Sequence, residues 1–556
     1  MTTAAEALVS QLEELGVEVV FGTCGHTNIA VLDALSRSSV RFVIARHEQA
    51  AAHAADGYAR ASGRPGVVLV HVGPGLTNTI TGAMTAALDS VPLVVISGDI
   101  PSYYRGRHPH QEINLHADAD QAALFRPFAK RVWDVHRPED LGRAVERAFW
   151  TATTGRPGAV LVNVPMDVFS RPASPYPRRS VAGPPGLSAG TAERIAAELA
   201  GAERPLIYVG GGLREASAAL IALAEHLDIP IAHSLMAKGT VPDTHPLQLG
   251  MTGFWGRELT NAYAREADVV LAVATRFAET DASSWDPRFT WDFSRSTLIQ
   301  IDLDPAELGR SYPVSIGAVA DAGLAIRAVA EAALSHPPVE RADLRRRIAA
   351  SQVFVHDRSE EFPLRPQRIL TDLREALPPD TILVTDVGWN KNGVAQCYEL
   401  PEGGRFITPG GASTMGFGPA AAVGAQLALP ERTVVALIGD GGMSAQLPAL
   451  SMAVEQDAPV LFVVMNNQSH GTISDLQSTF FGSGFGCDFA SGPDFAALGV
   501  ACGAEGHAVR APRELGTALR QAVTKRRPAV IDVPMVNEPV PTPGHWNIKD
   551  IYQGIF

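Results

Sequence analysis

Short apolar runs and Ala-rich stretches of helical period alternate along most of the chain. Over residues 1–170 the runs are VEVVFG, RFVIAR, GVVLVHVG, PLVVISG and AVLVNVP. Continuous apolar runs of this length, each followed by a helical stretch, predict parallel strands connected by crossover helices. The pattern breaks at SRPASPYPRRSVAGPPG (Ser170 to Gly186), whose prolines and serines predict a linker. It resumes over 187–335 with PLIYVGGG, PIAHSL, DVVLAVATRF and TLIQIDLD, and again over 364–537 with TILVTDVG, TVVALIGDGG, PVLFVVMNN and AVIDVPM. Prolines at Ser335 to Pro338 and Phe362 to Pro366 flank a charged helical stretch, VERADLRRRIAASQ, that suits a connector. The expected fold is α/β, with three domains that are each a parallel sheet flanked by helices. The tail, 538–556, is irregular and suits either a loose end or a flap.

Length and charge narrow the function. A chain of 556 residues is too long for one hydrophobic core, since cores stop growing near ~250 to 300 residues. No apolar run reaches the ~20 residues that a membrane helix needs, and the N-terminus has no basic start, so neither a membrane span nor a secretion signal is expected. Its Leu8, Leu12 and Leu15 mark an amphipathic helix instead. Cys24, Cys397, Cys487 and Cys502 form no CxxC pair, which predicts neither a zinc site nor a disulfide framework and fits a reducing cytoplasm. A net charge of -13 without a basic block argues against nucleic acid or anionic lipid as partner. Small-molecule chemistry remains.

The strongest chemical signal lies in the third domain. Gly439-Asp440-Gly441 closes one apolar strand and Asn466-Asn467 closes the next, with 24 residues between the clusters. Strand carboxyl ends are where open parallel sheets bind ligands, and helix N-termini there offer N–H groups to phosphate. Asp440 and Asn467 supply hard oxygen ligands suited to Mg²⁺. Either cluster alone also suits an ordinary turn or polar loop; the pair, one helix apart, points to a metal-held phosphate.

The pair resembles the thiamine-diphosphate fingerprint, GDG followed after 24 to 27 residues by NN. The resemblance implies that Asp440, Asn467 and the Ser469 carbonyl hold the metal, with Gly439, Gly441 and Gly471 around the cofactor. Upstream, PGGASTMGFGPAAAVGAQLA resembles the acetolactate-synthase segment beneath the cofactor, and Met415 falls where that family places the apolar residue that bends thiamine. Met415 could equally be plain core. In the first domain HEQAAAHAADGYARASGRPGV is similar to the family's HEQ…EGYARASGKPGV, departing at Asp56. Glu48 would then hydrogen-bond the aminopyrimidine and act as a general base relayed through the cofactor; its other reading is a carboxylate that caps free N–H groups at a helix start. GPGLTN (Gly73 to Asn78), ALDSVPLVVISG and HQEINL (His110 to Leu115) match in order, placing Gly73 at the cofactor and Gln111 on the family's active-site glutamine.

The resemblance implies pyrimidine-binding, central nucleotide- or flavin-type, and diphosphate-binding domains, and an acetolactate-synthase-like carboligase. It would act on a 2-oxo acid such as pyruvate and a carbonyl acceptor, as a homodimer or homotetramer because Glu48 and the diphosphate site come from different subunits in this superfamily. It allows FAD in the central domain, with Arg276 at a flavin-contacting position but Trp255 where a histidine is usual. Two departures bear on substrate: His26 replaces a glycine and His110 a phenylalanine, either as proton carriers or as pocket-shaping rings. Leu476 stands where a substrate-channel tryptophan is usual. A decarboxylase or carbon–carbon lyase is therefore the alternative activity, and a nucleotide-binding protein without catalysis the remote one.

Overall fold

The computed structural model describes residues 2–114, 120–174, 176–177, 183–213, 216–351 and 356–546. Three six-stranded sheets, parallel in every pairing, follow one another along the chain. The first contains β1 (Val19–Gly22), β2 (Arg41–Ile44), β3 (Gly66–Val70), β4 (Leu93–Asp99), β5 (Arg131–Asp134) and β6 (Ala159–Pro165), in the order β2-β1-β3-β4-β6-β5. The second contains β7 (Pro205–Val209), β8 (Ile231–His233), β9 (Gln248–Met251), β10 (Val269–Val273), β11 (Thr297–Asp302) and β12 (Ile316–Val319), in the order β12-β11-β10-β7-β8-β9. The third contains β13 (Ile382–Thr385), β14 (Arg405–Ile407), β15 (Val434–Gly439), β16 (Leu461–Asn466), β17 (Glu505–Ala508) and β18 (Ala529–Pro534), in the order β14-β13-β15-β16-β18-β17.

The first and third sheets share one strand order, and a single apolar cluster runs through both domains. At its centre the Glu48–Ser62 helix packs on the Phe417–Ala428 helix. Both are rich in alanine, and each gives up a glycine at the contact. A Cβ on Gly57 would overlap the Ala421 carbonyl oxygen, and one on Gly424 would overlap the Ala54 carbonyl oxygen. The packing is thus reciprocal, and Glu48 and Met415 stand the same number of residues before Gly57 and Gly424. Polar bonds reinforce the junction. Arg60, buried, pairs with Asp56 and with Asp89 (2.8 Å) and donates to the Thr408 carbonyl (3.0 Å). Asp89 in turn accepts from the N–H groups of Gly410 and Gly411 (2.9 and 2.6 Å). Asp56, the departure from the family segment, is therefore part of a buried clamp.

The central sheet has its own apolar clusters. The charged stretch forms the Ala342–Ser351 helix, which buries Leu344 and Ile348 against that domain, while Arg345 pairs with Asp228 (2.7 Å). The tail, as far as it is described, lies on the molecule: Gln396 donates to the Pro541 carbonyl (2.8 Å), and His545 stacks on Phe289 with ring centroids 4.4 Å apart. Residues 547–556 fall outside the described part. No helix of the described residues is long and apolar enough to cross a membrane.

One buried group predicts a pH response. His53 lies wholly inside the shared core, edge-on to Phe417 with centroids 5.4 Å apart, and burial, aided by the Arg60 charge, pushes its pKa down to about 3. In the unfolded chain it titrates near ~6.5. As pH falls below that value the unfolded state takes up the proton first, so stability is lost from about pH 6.5 downward at about 1.4 kcal/mol per unit until the folded value is reached. Denaturant unfolding at stepped pH should show His53→Leu flattening this slope between pH 6.5 and 5; an unchanged slope would refute the assignment.

Candidate active site

The residues singled out in the third domain converge at strand ends. Asp440 follows β15, and Asn467, Ser469 and Gly471 follow β16, so both clusters sit at the carboxyl edge of one sheet. Asp440 is buried. One of its carboxylate oxygens accepts from the Gly441 N–H (2.9 Å), and the Gln468 N–H also favours the charge, yet burial dominates and pushes its pKa up. The other oxygen, Oδ2, is buried without a partner, as are Asn390 Oδ1, Asn466 Oδ1 and Ser469 Oγ, which follow or end β13 and β16 of the same sheet. Unpaired buried oxygens are costly unless something electropositive meets them.

Asn467 is oriented by a residue outside the sequence motif. Its amide nitrogen donates to Asn537 Oδ1 (3.2 Å), and Asn537 Nδ2 donates to the Gly471 carbonyl (3.2 Å). This leaves Asn467 Oδ1 free of that bond. A Cβ on Gly471 would displace both amide side chains. Among the described residues no three His, Cys, Asp or Glu side chains are placed to hold a metal ion by themselves. The donor set is one carboxylate with amide and carbonyl oxygens, which suits Mg²⁺ completed by phosphate oxygens. The residues fit a magnesium-held diphosphate.

The segment carrying Met415 is held from several sides. Buried Asp386 accepts from the N–H groups of Gly416 and Gly418 (2.9 Å each), Thr85 and Thr414 share a hydroxyl bond (2.7 Å), and Lys391 donates to Ser413 Oγ (2.9 Å). Met415 is 40% exposed, so it is not core, and its sulfur would lie 3.6 Å from a Cβ on Gly441. An apolar side chain held over the GDG turn gives the crevice an apolar wall.

The other half lies in the first domain. Glu48 opens its helix, but His47 Nδ1 does the capping by accepting from the Gln49 N–H (3.2 Å). The Glu48 carboxylate turns instead to Thr23 Oγ1 (2.8 Å) and Asn78 Nδ2 (2.9 Å). This disposes of the helix-cap reading. His26 and His110 come together, ring centroids 6.0 Å apart, with His71 6.1 Å from His26. Gln111 holds a left-handed φ of 65°, and its carbonyl lies against Gly73, itself at φ 65°. Strained backbone of this kind in a non-glycine residue clusters at functional sites. Leu115, at the end of HQEINL, falls outside the described residues.

Three family models match the chain in order: the thiamine pyrophosphate enzyme N-terminal TPP binding domain over residues 2–123, the central domain over 192–329 and the C-terminal TPP binding domain over 386–533. The chain belongs to the thiamine pyrophosphate enzymes. Its relatives in that family include a probable acetolactate synthase large subunit of Methanocaldococcus jannaschii, 34% identical over 95% of this chain and 91% of the relative. The acetolactate synthase isozyme 3 large subunit of Escherichia coli is 34% identical over 95% of this chain and 93% of its own. The acetolactate synthase large subunit of Lactococcus lactis is 31% identical over 96% and 92%. As in the family models, thiamine-diphosphate binding falls to the first and third domains, where the two half-sites lie.

In this thiamine pyrophosphate enzyme the positions on which the flavin expectation rests, Arg276, Trp255 and the glycines after β7, lie in the central domain. The glycines after β7 face protein: a Cβ on Gly210 would overlap the Ala274 carbonyl, one on Gly211 would meet Met236 Cβ at 2.7 Å, and one on Gly212 would meet Ala274 Cβ at 2.9 Å. Arg276 donates to the Leu88 carbonyl (2.8 Å) across the domain boundary. Trp255 packs edge-on against Phe254. The glycine and Trp255 contacts lie within the central domain, and the Arg276 bond ties it to the first domain. Sequence reading missed Asn390, Asn537, Asp386 and His71; a DVG at a strand end was the available signal for the first and third.

Proposed function

We propose that the chain is a thiamine-diphosphate-dependent carboligase that joins a fragment of a 2-oxo acid such as pyruvate to an acceptor carbonyl, as an acetolactate synthase does. The observation that carries the reading is Glu48, a carboxylate fixed at both oxygens by Thr23 and Asn78 at the carboxyl edge of the first sheet. When bound, thiamine diphosphate supplies the electron sink that lets a 2-oxo acid lose CO₂ and a new carbon–carbon bond form. Glu48 is proposed to hold a proton at its carboxylate against the pyrimidine ring. Asp440, Asn467 and the Ser469 carbonyl hold Mg²⁺, with Gly439, Gly441, Gly471 and Gly73 around the cofactor; Met415 walls the crevice, and Gln111, His26 and His110 face the substrate. The flavin that the resemblance allows has no part in this proposal. Domains spanning 1–170, 187–335 and 364–537, with the tail against the second and third, complete it.

The working unit is proposed to be a homodimer or homotetramer in the cytoplasm. Glu48 finds its partners wholly in the first domain and Asp440 wholly in the third. The Gly471–Phe481 helix after the Asn-Asn pair buries no residue, with Ile473 51% and Phe481 61% exposed, which is what a face awaiting a second copy presents. A second reading, decarboxylase or lyase, is favoured by the histidines around Glu48. Product analysis of the Mg²⁺- and thiamine-diphosphate-loaded protein with pyruvate decides: acetolactate or acetoin supports ligation, and acetaldehyde alone supports the second reading.

A further inference from the structure

We propose that His71 is a further catalytic residue of this cleft, an imidazole that exchanges a proton with a substrate oxygen as a carbon–carbon bond forms or breaks. The inference deepens the carboligase reading and rests on it.

His71 stands immediately after β3, on the sheet edge that also carries Thr23 after β1 and Glu48 after β2. Its ring occupies a niche made by two glycines from separate turns. A Cβ on Gly25 would overlap its Cγ, and a Cβ on Gly75 would stand 2.6 Å from its Cδ2. A ring kept only for packing has no need of a nitrogen there, and a ring kept for a structural bond would show that bond. His71 does neither: Nδ1 is buried and meets no hydrogen-bond partner, so the protein does not pin its tautomer.

The ionisable groups that face the ring are the Glu48 carboxylate and the His26 imidazole, with His110 beyond His26. Burial holds the His71 pKa below the ordinary histidine value; Glu48 pulls it up and a charged His26 pushes it further down. The imidazole is neutral at neutral pH and can accept a proton. In the cleavage direction an imidazole nitrogen takes the proton of a substrate hydroxyl; the O–H pair becomes the new C=O π bond, and the C–C pair leaves with the other fragment. In the ligation direction the other fragment's pair forms the C–C bond and the acceptor's π pair moves onto oxygen, which takes a proton that the imidazole has drawn from solvent.

The test uses the holoenzyme. His71→Ala and His71→Gln should each lower kcat by about 100-fold or more, the size of a general acid–base contribution, with KM and cofactor affinity within about threefold of wild type. Free imidazoles should restore part of the His71→Ala rate, with a rate that scales with their pKa. NMR titration of the apoprotein should show a histidine signal absent from both His71 variants and titrating below the usual value. That value should fall further in Glu48→Gln and rise in His26→Gln. Retention of kcat within about threefold in a folded His71→Gln, or rescue independent of imidazole pKa, overturns the assignment. If wild type itself binds no thiamine diphosphate or turns over no 2-oxo acid, the carboligase reading fails instead.

Discussion

Asp440→Ala abolishes magnesium-dependent binding of thiamine diphosphate while leaving the apoprotein as stable as wild type, or more so. The two effects have opposite signs for one reason. Asp440 is buried with one oxygen unpartnered, and its pKa is pushed up because burial disfavours the charge more than the neighbouring N–H groups favour it. Without metal, that carboxylate is a burden on the fold; with metal, on the proposed reading, it becomes a ligand. Calorimetric titration of metal-stripped protein should give tight cofactor binding only with Mg²⁺ in wild type, and at least ~100-fold weaker binding in the variant, about 2.7 kcal/mol. Melting of the apo forms should place the variant at or above wild type. Unchanged Mg²⁺-dependent binding would remove Asp440 from the metal site.

Glu48→Gln separates binding from turnover. Glutamine keeps the shape, its amide oxygen can accept from Asn78 Nδ2 and its amide nitrogen can donate to Thr23 Oγ1, so the apoprotein should stay within roughly 1 kcal/mol of wild type. Thiamine diphosphate should still bind within about tenfold, since the Asp440 half of the site is untouched. The carboxylate, however, is gone, and kcat should fall by about 10²- to 10⁴-fold, as for removal of a general base. Full activity in Glu48→Gln would sink both the role of Glu48 and the carboligase reading built on it.

What the sequence made legible follows burial. The thirteen strands expected from apolar runs are all present, and the five missed ones, β5, β9, β12, β14 and β17, are all at sheet edges. An edge strand has a neighbour on one side only and need not be a continuous apolar run: β5 is RVWD, with no residue fully buried, and β17 is EGHA. At the site, motif residues close to each other in sequence were legible. Asn537 is not, because it reaches Asn467 from 70 positions away and neither sequence segment hints at the other. His71 sits between two matched segments and carried no signal, since its niche depends on Gly25, contributed by a different turn.

The reciprocal glycine contacts between the Glu48 and Phe417 helices bear on how this chain can drift. Ala54, Gly57, Ala421 and Gly424 form one shared constraint: a side chain added to either glycine runs into backbone, which cannot rotate away, so it could be accommodated only by prying the two domains apart. Such a substitution would disturb both half-sites at once, and no single compensating change on the opposite helix would repair it, because the obstacle there is a carbonyl rather than a side chain. Glu48, at the start of one helix, and Met415, just ahead of the other, take no part in this contact, and mutational tolerance along the two helices should be narrowest at their middles.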